Sequence, residues 1–376
     1  LPAGKEPKSA YAPYKPAPAG EKVQTRAYAV ADPTAPFKPV VFERRALADE
    51  DILIETLYSG ICHSDIHTAN ADWKTDPEHY PLTPGHEIVG RVTKVGKAVT
   101  KFKVGDYAAV GCMVDSCGEC LHCKRGEEQY CTKGMILTYD SVDKYGAVTQ
   151  GGYSNNIVVR ESFALTVRGV AESDLPKVAP LVCAGVTTYS PLKLNKVGKG
   201  TKVGVAGFGG LGHMAVQYAV KLGADVTVFD ITDDKAEWAK KLGAKRFVNV
   251  RKPDAFKDFP AGFAGEFDII LSTIPFKYEP ADYLKLLRVD GTLVIIGLPA
   301  ADAQPVVHSS ALWGRKRVYF SLIGGIRETQ EALDYSIANK IFPRVEIIAP
   351  AQINAAYKSV WDGNVRFRYV IDAKKF

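Results

Sequence analysis

Between positions 117 and 131 the chain reads Cys117-Gly118-Glu119-Cys120-Leu121-His122-Cys123, then seven residues, then Cys131. The pattern is C-x2-C-x2-C-x7-C. Two-residue gaps let a turn bring successive sulfurs to one centre, where a Zn²⁺ ion offsets thiolate repulsion at Zn–S bonds of roughly 2.3 Å. Paired disulfides or scattered core cysteines are the alternatives. Seven cysteines in 376 residues do not make a disulfide scaffold. Four sulfurs close the coordination sphere, so this site is expected to be structural. It points to zinc but not to an enzyme, and the open question is whether a second, accessible site exists.

The chain is too long for one ordinary core and predicts two domains. Its net charge of +6 is spread along the sequence, without a dense basic block. That is weak grounds for a nucleic-acid partner. Glu119, Glu127 and Glu128 also argue against one at the cysteine cluster. No apolar run approaches the roughly 20 residues that span a bilayer. The sequence opens at Leu1, and no signal peptide is evident. A processed form whose export signal has been removed is one reading, and a trimmed chain is another. Thiolate–zinc chemistry favours a reducing cytoplasm, with export after signal removal left open.

Residues 1–25 hold Pro2, Pro7, Pro13, Pro16 and Pro18 and form an arm that cannot be a long helix. A disordered tail is the plainer reading; an arm on the body or on a partner subunit is the other. From 26 to 110 short strands alternate with glycine turns, with strands expected at 51–58, 87–95 and 105–110. This is a β-rich, barrel-like unit from which the cysteine cluster projects as a lobe. From about 185 the texture becomes strand, helix, strand. Strands are expected at 203–206, 225–230, 267–274 and 292–297, and helices at 211–222, 233–242 and near 281–287. That rhythm predicts an α/β fold with a doubly wound parallel sheet. A helix at 328–339 and strands at 345–348 and 367–371 return to the first unit. The predicted division is an arm (1–25), a catalytic domain (26–184 with 325–376) and a Rossmann domain (185–324).

Gly207-Phe208-Gly209-Gly210-Leu211-Gly212 is G-x-G-x-x-G between an expected strand and an expected helix. In that setting the glycines allow a tight turn and let the helix N-terminus face a pyrophosphate. Asp230 ends the next strand, 18 residues after Gly212. A carboxylate there accepts hydrogen bonds from ribose hydroxyls and repels a 2′-phosphate, which favours NAD(H) and leaves NADP(H) open. Lys235 reads equally well as a ribose contact or as a solvated helix lysine. His213 reads as a packing or capping residue.

Three residue sets offer ligands for a second zinc: Cys62-His63-Ser64-Asp65-Ile66-His67, Gly85-His86-Glu87, and Cys183 in Leu181-Val182-Cys183-Ala184-Gly185. Two thiolates and an imidazole would cancel the ion's charge and leave a position for an alcohol or water, whose pKa the zinc lowers. Here the chain resembles the zinc-dependent medium-chain alcohol dehydrogenases, and within them the cinnamyl alcohol dehydrogenase group. Gly85-His86-Glu87-x2-Gly90-x5-Gly96-x2-Val99 is similar to the family's zinc signature, and the cysteine cluster to its structural-zinc lobe. CHSDIH from Cys62, PLVCAG from Pro180, SPLK from Ser190, GGLGHM from Gly209 and FRYVID from Phe367 are similar to the cinnamyl group in particular. The resemblance covers about 26–373.

The resemblance implies Cys62, His86 and Cys183 as catalytic-zinc ligands, with Glu87 close by. It implies structural-zinc ligation by Cys117, Cys120, Cys123 and Cys131. Asp65 would orient a ligand, Ser64 would hydrogen-bond the alcohol, and His67 would pass its proton to solvent. His63 and Arg368 would approach the cofactor phosphates, and Thr187 the nicotinamide. Gly207, Gly209, Gly210, Leu211, Gly212, Asp230 and Lys235 would hold the dinucleotide. Members of the cinnamyl group usually use NADP(H) and carry a small hydroxyl residue where this chain has Asp230, so the chain departs from the group at that position. Trp73 reads equally as an aromatic wall of the substrate cleft or as a packed rim residue. Cys112 and His122 stand near the cluster without a place in its spacing and read as structural. The implied reaction is interconversion of primary, aromatic or allylic alcohols with aldehydes, by a homodimer joined near 318–323. A polyol or sugar dehydrogenase and a non-catalytic zinc-stabilised binding protein are the alternatives.

Overall fold

Runs of Val, Ile, Leu and Ala between 203 and 294 have no polar face, which suits strands covered on both sides. The computed structural model, which describes residues 11–260 and 263–376, forms a six-stranded parallel sheet there. Its spatial order is Arg246–Asn249, Asp225–Asp230, Lys202–Ala206, Phe267–Ser272, Leu287–Ile295, Arg317–Phe320. Val203 pairs with Val226 on one side and Ile269 on the other. Val203, Val205, Val226, Val228, Ile270 and Leu271 are fully buried. The strand order reverses beside Lys202–Ala206, and ligands of such sheets bind at that switch point. Gly207 follows the strand directly, and the helix Gly210–Lys221 opens three residues later.

The second sheet is mostly antiparallel. Its order is Val345–Ile348, Arg368–Asp372, Asp51–Gly60, Ile88–Val95, Tyr107–Val110, Ala164–Thr166, with Asn156–Arg160 also pairing to Asp51–Gly60. The last strand thus lies beside one of the first: Val370 pairs with Gly60, and the Ile61 amide donates to the Tyr369 carbonyl at 2.9 Å. One apolar cluster joins the two sheets, from Leu57, Val89 and Leu165 through the helix Ala184–Leu194 to Val205, Val228 and Leu271. Among the described residues no helix is long and apolar enough to cross a membrane.

Several element limits differ from expectation. The helix expected at 233–242 spans Ala236–Lys241, because Asp233 bonds to Asn249 and Lys252 and Asp234 to Thr232 and Arg366 within the preceding turn. The helix near 281–287 ends at Leu284, and the buried Leu287 starts a strand. Two further strands, Val23–Ala29 and Lys38–Arg44, form a hairpin in full register. Of the arm, residues 1–10 lie outside the described residues. Residues 11–20 follow the body: the Tyr11 hydroxyl donates to the Gly134 carbonyl at 2.7 Å, and the Lys15 amide to the Lys144 carbonyl at 2.8 Å.

Candidate active site and metal centres

The sulfurs of Cys117, Cys120, Cys123 and Cys131 lie within 4.8 Å of one another, and all seven cysteines are free thiols. The short helix Leu121–Arg125 starts at Cys120 and ends at Gly126, folding the segment back on itself. Cys123 Sγ is 3.8 Å from Cys117 Sγ and 3.5 Å from Cys120 Sγ. A tetrahedron with bonds of about 2.3 Å has an edge of about 3.8 Å, so the cluster fits zinc. The Cys120 amide points at Cys117 Sγ at 3.4 Å, and the Cys123 amide at Cys120 Sγ at 3.5 Å, which pulls the Cys120 thiol down to about 5. His122 pairs with Glu127 outside this set.

The second group is Cys62, His86, Glu87 and Cys183, all buried, with ligand atoms within 4.8 Å of one another. Cys62 stands between the strand Asp51–Gly60 and the helix His63–Ala69, and Cys183 precedes the helix Ala184–Leu194. His86 is delivered by Gly85, whose φ of +107° suits glycine and whose added Cβ would fall 2.6 Å from the Tyr153 ring. His86 Nε2 is 3.2 Å from Cys183 Sγ, which is 4.0 Å from Cys62 Sγ. His86 Nδ1 donates to Asp65 at 3.0 Å, leaving Nε2 to ligate. Glu87 is fully buried, its carboxylate oxygens have no hydrogen-bond partner, and Oε1 sits 3.3 Å from Arg368. Burial pushes its carboxyl up to about 8 against the pull of Arg368. Two thiols and one imidazole nitrogen make a three-donor set suited to zinc with an open position, beside which the Glu87 carboxyl stands.

Ser64 Oγ is 3.7 Å from Cys62 Sγ. His67 pairs through Nδ1 with Asp72 at 2.7 Å, and its buried Nε2 has no hydrogen-bond partner. In the neutral ring, donation from Nδ1 to a carboxylate leaves the Nε2 lone pair free. Asp72 was not among the sequence candidates; its signal is the His67-x4-Asp72 spacing past the end of a helix. Cys112, read from the sequence as structural, is half-buried. Neighbouring Cys183 lowers its pKa. The Trp73 ring stacks on His67 with centroids 5.0 Å apart, while its indole N–H donates to the Pro299 carbonyl at 3.0 Å. The Ala301 amide donates to the Asp72 carbonyl at 3.2 Å, so two bonds cross from one domain to the other here. His63 stacks on Trp361 at 5.6 Å and meets Phe276 edge-on at 5.5 Å. Burial lowers its pKa to about 4, so it is neutral.

In the glycine turn, a Cβ on Gly212 would fall 2.0 Å from the Gly207 carbonyl, so helix and strand approach only through glycine. Around Gly209 the same position meets nothing within 4 Å, which leaves that face open. Leu211 packs on the main apolar cluster. Asp230 accepts from the Phe208 amide at 2.8 Å and the Ile231 amide at 2.6 Å, with Lys235 at 3.7 Å. His213 stacks on Phe367 at 4.6 Å and donates from Nδ1 to the Gly210 carbonyl, a packing role. Arg368 donates to the Ile61 carbonyl at 3.0 Å, and its Nε lies 2.6 Å from where a Gly210 Cβ would stand. Thr187 Oγ1 and Arg368 Nε, like His63 Nε2, are buried without hydrogen-bond partners. Buried polar atoms in folded proteins are normally paired, and these border the metal set and the glycine turn, as residues built for a dinucleotide would.

Comparison with known proteins agrees with this geometry. Residues 48–169 match the alcohol dehydrogenase GroES-like domain, and residues 210–337 match the zinc-binding dehydrogenase domain. NADP-dependent alcohol dehydrogenase C 1 of Mycolicibacterium smegmatis is 46% identical over 92% of this chain and 97% of its own length. Cinnamyl alcohol dehydrogenase 2 of Rauvolfia serpentina is 41% identical over 93% of this chain and 95% of its own. The crystal structure of CAD from Helicobacter pylori complexed with NADP(H) superposes with a TM-score of 0.88 at 48% identity, covering 94% of this chain and 99% of that one. Likeness of this extent over nearly the whole length of both chains makes this protein a member of the zinc-type medium-chain alcohol dehydrogenases.

Proposed function

We propose that this enzyme interconverts primary alcohols and aldehydes, aromatic or allylic ones above all, by hydride exchange with a nicotinamide dinucleotide. One observation carries the reading: Arg368 reaches Glu87 of the metal set and lies against Gly210 of the dinucleotide turn. The two sites are one arginine apart, which suits hydride transfer between their occupants. When bound, zinc at Cys62, His86 and Cys183 polarises the substrate oxygen, and the dinucleotide gives or takes the hydride. The chain does the rest. Ser64 hydrogen-bonds the substrate hydroxyl and receives its proton. His67 takes that proton on Nε2 and hands it on towards solvent, held in the right tautomer by Asp72. Trp73, Phe276 and Trp361 form an aromatic wall that suits a flat substrate. Cys117, Cys120, Cys123 and Cys131 hold the structural ion, and Thr187 and His63 border the cofactor.

We assign the arm to 1–25, the catalytic domain to 26–184 with 325–376, and the Rossmann domain to 185–324. The sheet edge at Arg317–Phe320, with Phe320 41% exposed, is the proposed homodimer contact. Free thiols throughout favour a reducing compartment, the cytoplasm. Two readings of the cofactor stand. The relatives weigh towards NADP(H), whereas the Asp230 carboxylate, only partly offset by Lys235, disfavours a 2′-phosphate and weighs towards NAD(H).

Initial rates on cinnamyl alcohol with NAD⁺ and NADP⁺ side by side, on protein carrying about two zinc per chain, test the proposal. Turnover with either supports the enzyme reading, and the faster cofactor decides the second question. Asp230→Ser should raise the NADP⁺ to NAD⁺ ratio of kcat/KM about tenfold or more; an unchanged ratio would mean that Asp230 does not face the ribose. Turnover of sorbitol but not of cinnamyl alcohol would overturn the substrate class.

A further inference from the structure

We infer that Tyr153, supported by Tyr357, is a positioning residue of the catalytic metal site, acting through Asp65 on Cys62 and His86. The inference rests on the zinc reading above. Asp65 is fully buried and accepts four hydrogen bonds. Its Oδ2 takes the Cys62 amide at 2.8 Å and the Tyr153 hydroxyl at 3.0 Å. Its Oδ1 takes His86 Nδ1 at 3.0 Å and the Gly85 amide at 3.2 Å. Four donors saturate a carboxylate. Two of them belong to ligand residues, so one side chain sets both the Cys62 backbone and the plane of the His86 ring.

What fixes that carboxylate is Tyr153. Rotation about the Cβ–Cγ bond of an aspartate is soft, and three of the four donors ride on the ligand segments that Asp65 is to orient. Tyr153 comes from elsewhere in the chain, on a segment whose Gly152 and Tyr153 amides donate to the Gly85 and Pro84 carbonyls at 2.8 and 2.9 Å. The Tyr153 hydroxyl is spoken for on its other side, accepting from Tyr357 at 3.3 Å. Phe37 wedges both rings, with centroids 5.9 Å from Tyr153 and 4.7 Å from Tyr357. The order of action is Tyr357 to Tyr153 to Asp65 to His86. Partners of this kind typically change metal affinity about 10–100-fold.

The test is zinc release from the full-length, zinc-loaded enzyme into a colorimetric chelator. Two phases are expected, and Cys183→Ala identifies the catalytic one by its absence. Tyr153→Phe keeps the ring and removes the hydroxyl. It should speed the catalytic phase about 10–100-fold and leave the structural phase unchanged. The absorption bands of the enzyme with cobalt at the catalytic site should shift as the His86 ring turns. Tyr357→Phe should act in the same direction by about threefold to tenfold, and it carries the test if Tyr153→Phe does not fold. Phe37→Leu loosens the packing without touching a hydroxyl and should speed the catalytic phase less than Tyr153→Phe does. A catalytic phase within twofold of wild type in Tyr153→Phe overturns the inference. So do equal acceleration of both phases and an equal effect from Phe37→Leu. A wild-type protein that binds only one zinc instead fails the metal-site reading itself.

Discussion

Replacing Asp72 with Asn tests the proton path most directly. The Asp72 carboxylate accepts from His67 Nδ1 at 2.7 Å. The asparagine carbonyl can still accept that N–H, so the tautomer survives and the loss is that of the charge. A hydrogen bond to a charged group contributes about 1.5–3 kcal/mol. The Asp72 side chain is 26% exposed, so solvent screening places the effect in the lower part of that range, about 1.5–2 kcal/mol. That corresponds to a fall in kcat of about 10–30-fold. Asp72→Ala, which also frees the tautomer, should cost about 100-fold or more. KM should move less than about threefold, because the interdomain bonds here use the Asp72 carbonyl and the Trp73 indole rather than the carboxylate. The assay is steady-state alcohol oxidation at saturating cofactor in H₂O and D₂O, with a solvent isotope effect on kcat emerging as the proton step becomes slow. A kcat within twofold of wild type in both variants would refute the role given to Asp72.

Cys183→Ala should bind about one zinc per chain instead of about two and lose turnover by at least about 1,000-fold, with its far-ultraviolet circular dichroism retained; surviving activity would show the ligand assignment to be wrong. Burial holds the His213 pKa down at about 3, so this histidine is neutral in the folded protein while its unfolded counterpart titrates near 6.5. The sign follows from proton binding: above about pH 6.5 it has no effect, and below that the unfolded chain gains protons and stability falls. By pH 5 the loss is about 2 kcal/mol, so His213→Gln should lose that much less than wild type between pH 7.5 and 5 in urea titrations, and parallel curves would contradict it.

Much of the fold was legible because its signals are local. The βαβ rhythm, the glycine turn and the strand ending at Asp230 each lie within a short stretch, where periodicity and backbone geometry act directly. Limits blurred where side chains compete with the helix: Asp233 and Asp234 bond within the turn and delay the helix to Ala236. The hairpin Val23–Ala29 with Lys38–Arg44 escaped notice because its inward residues Thr25, Ala27 and Ala29 carry little apolar signal and Val41 points outward between Val40 and Phe42.

The four-cysteine lobe was legible in the sequence itself, since two-residue gaps let single turns bring successive thiols to one centre. The open metal set was determined only as a list of residue types. What joined Cys62 to Cys183, 121 residues on, was the packing of the sheets against the helix Ala184–Leu194. Arg368 reaches the Ile61 carbonyl across 307 residues because the last strand pairs beside Asp51–Gly60. Tyr153 gained its place beside Asp65, 88 residues away, in the same way. Spacing fixes neighbours along the chain, whereas partners across it are chosen by strand order and burial, which no local pattern carries.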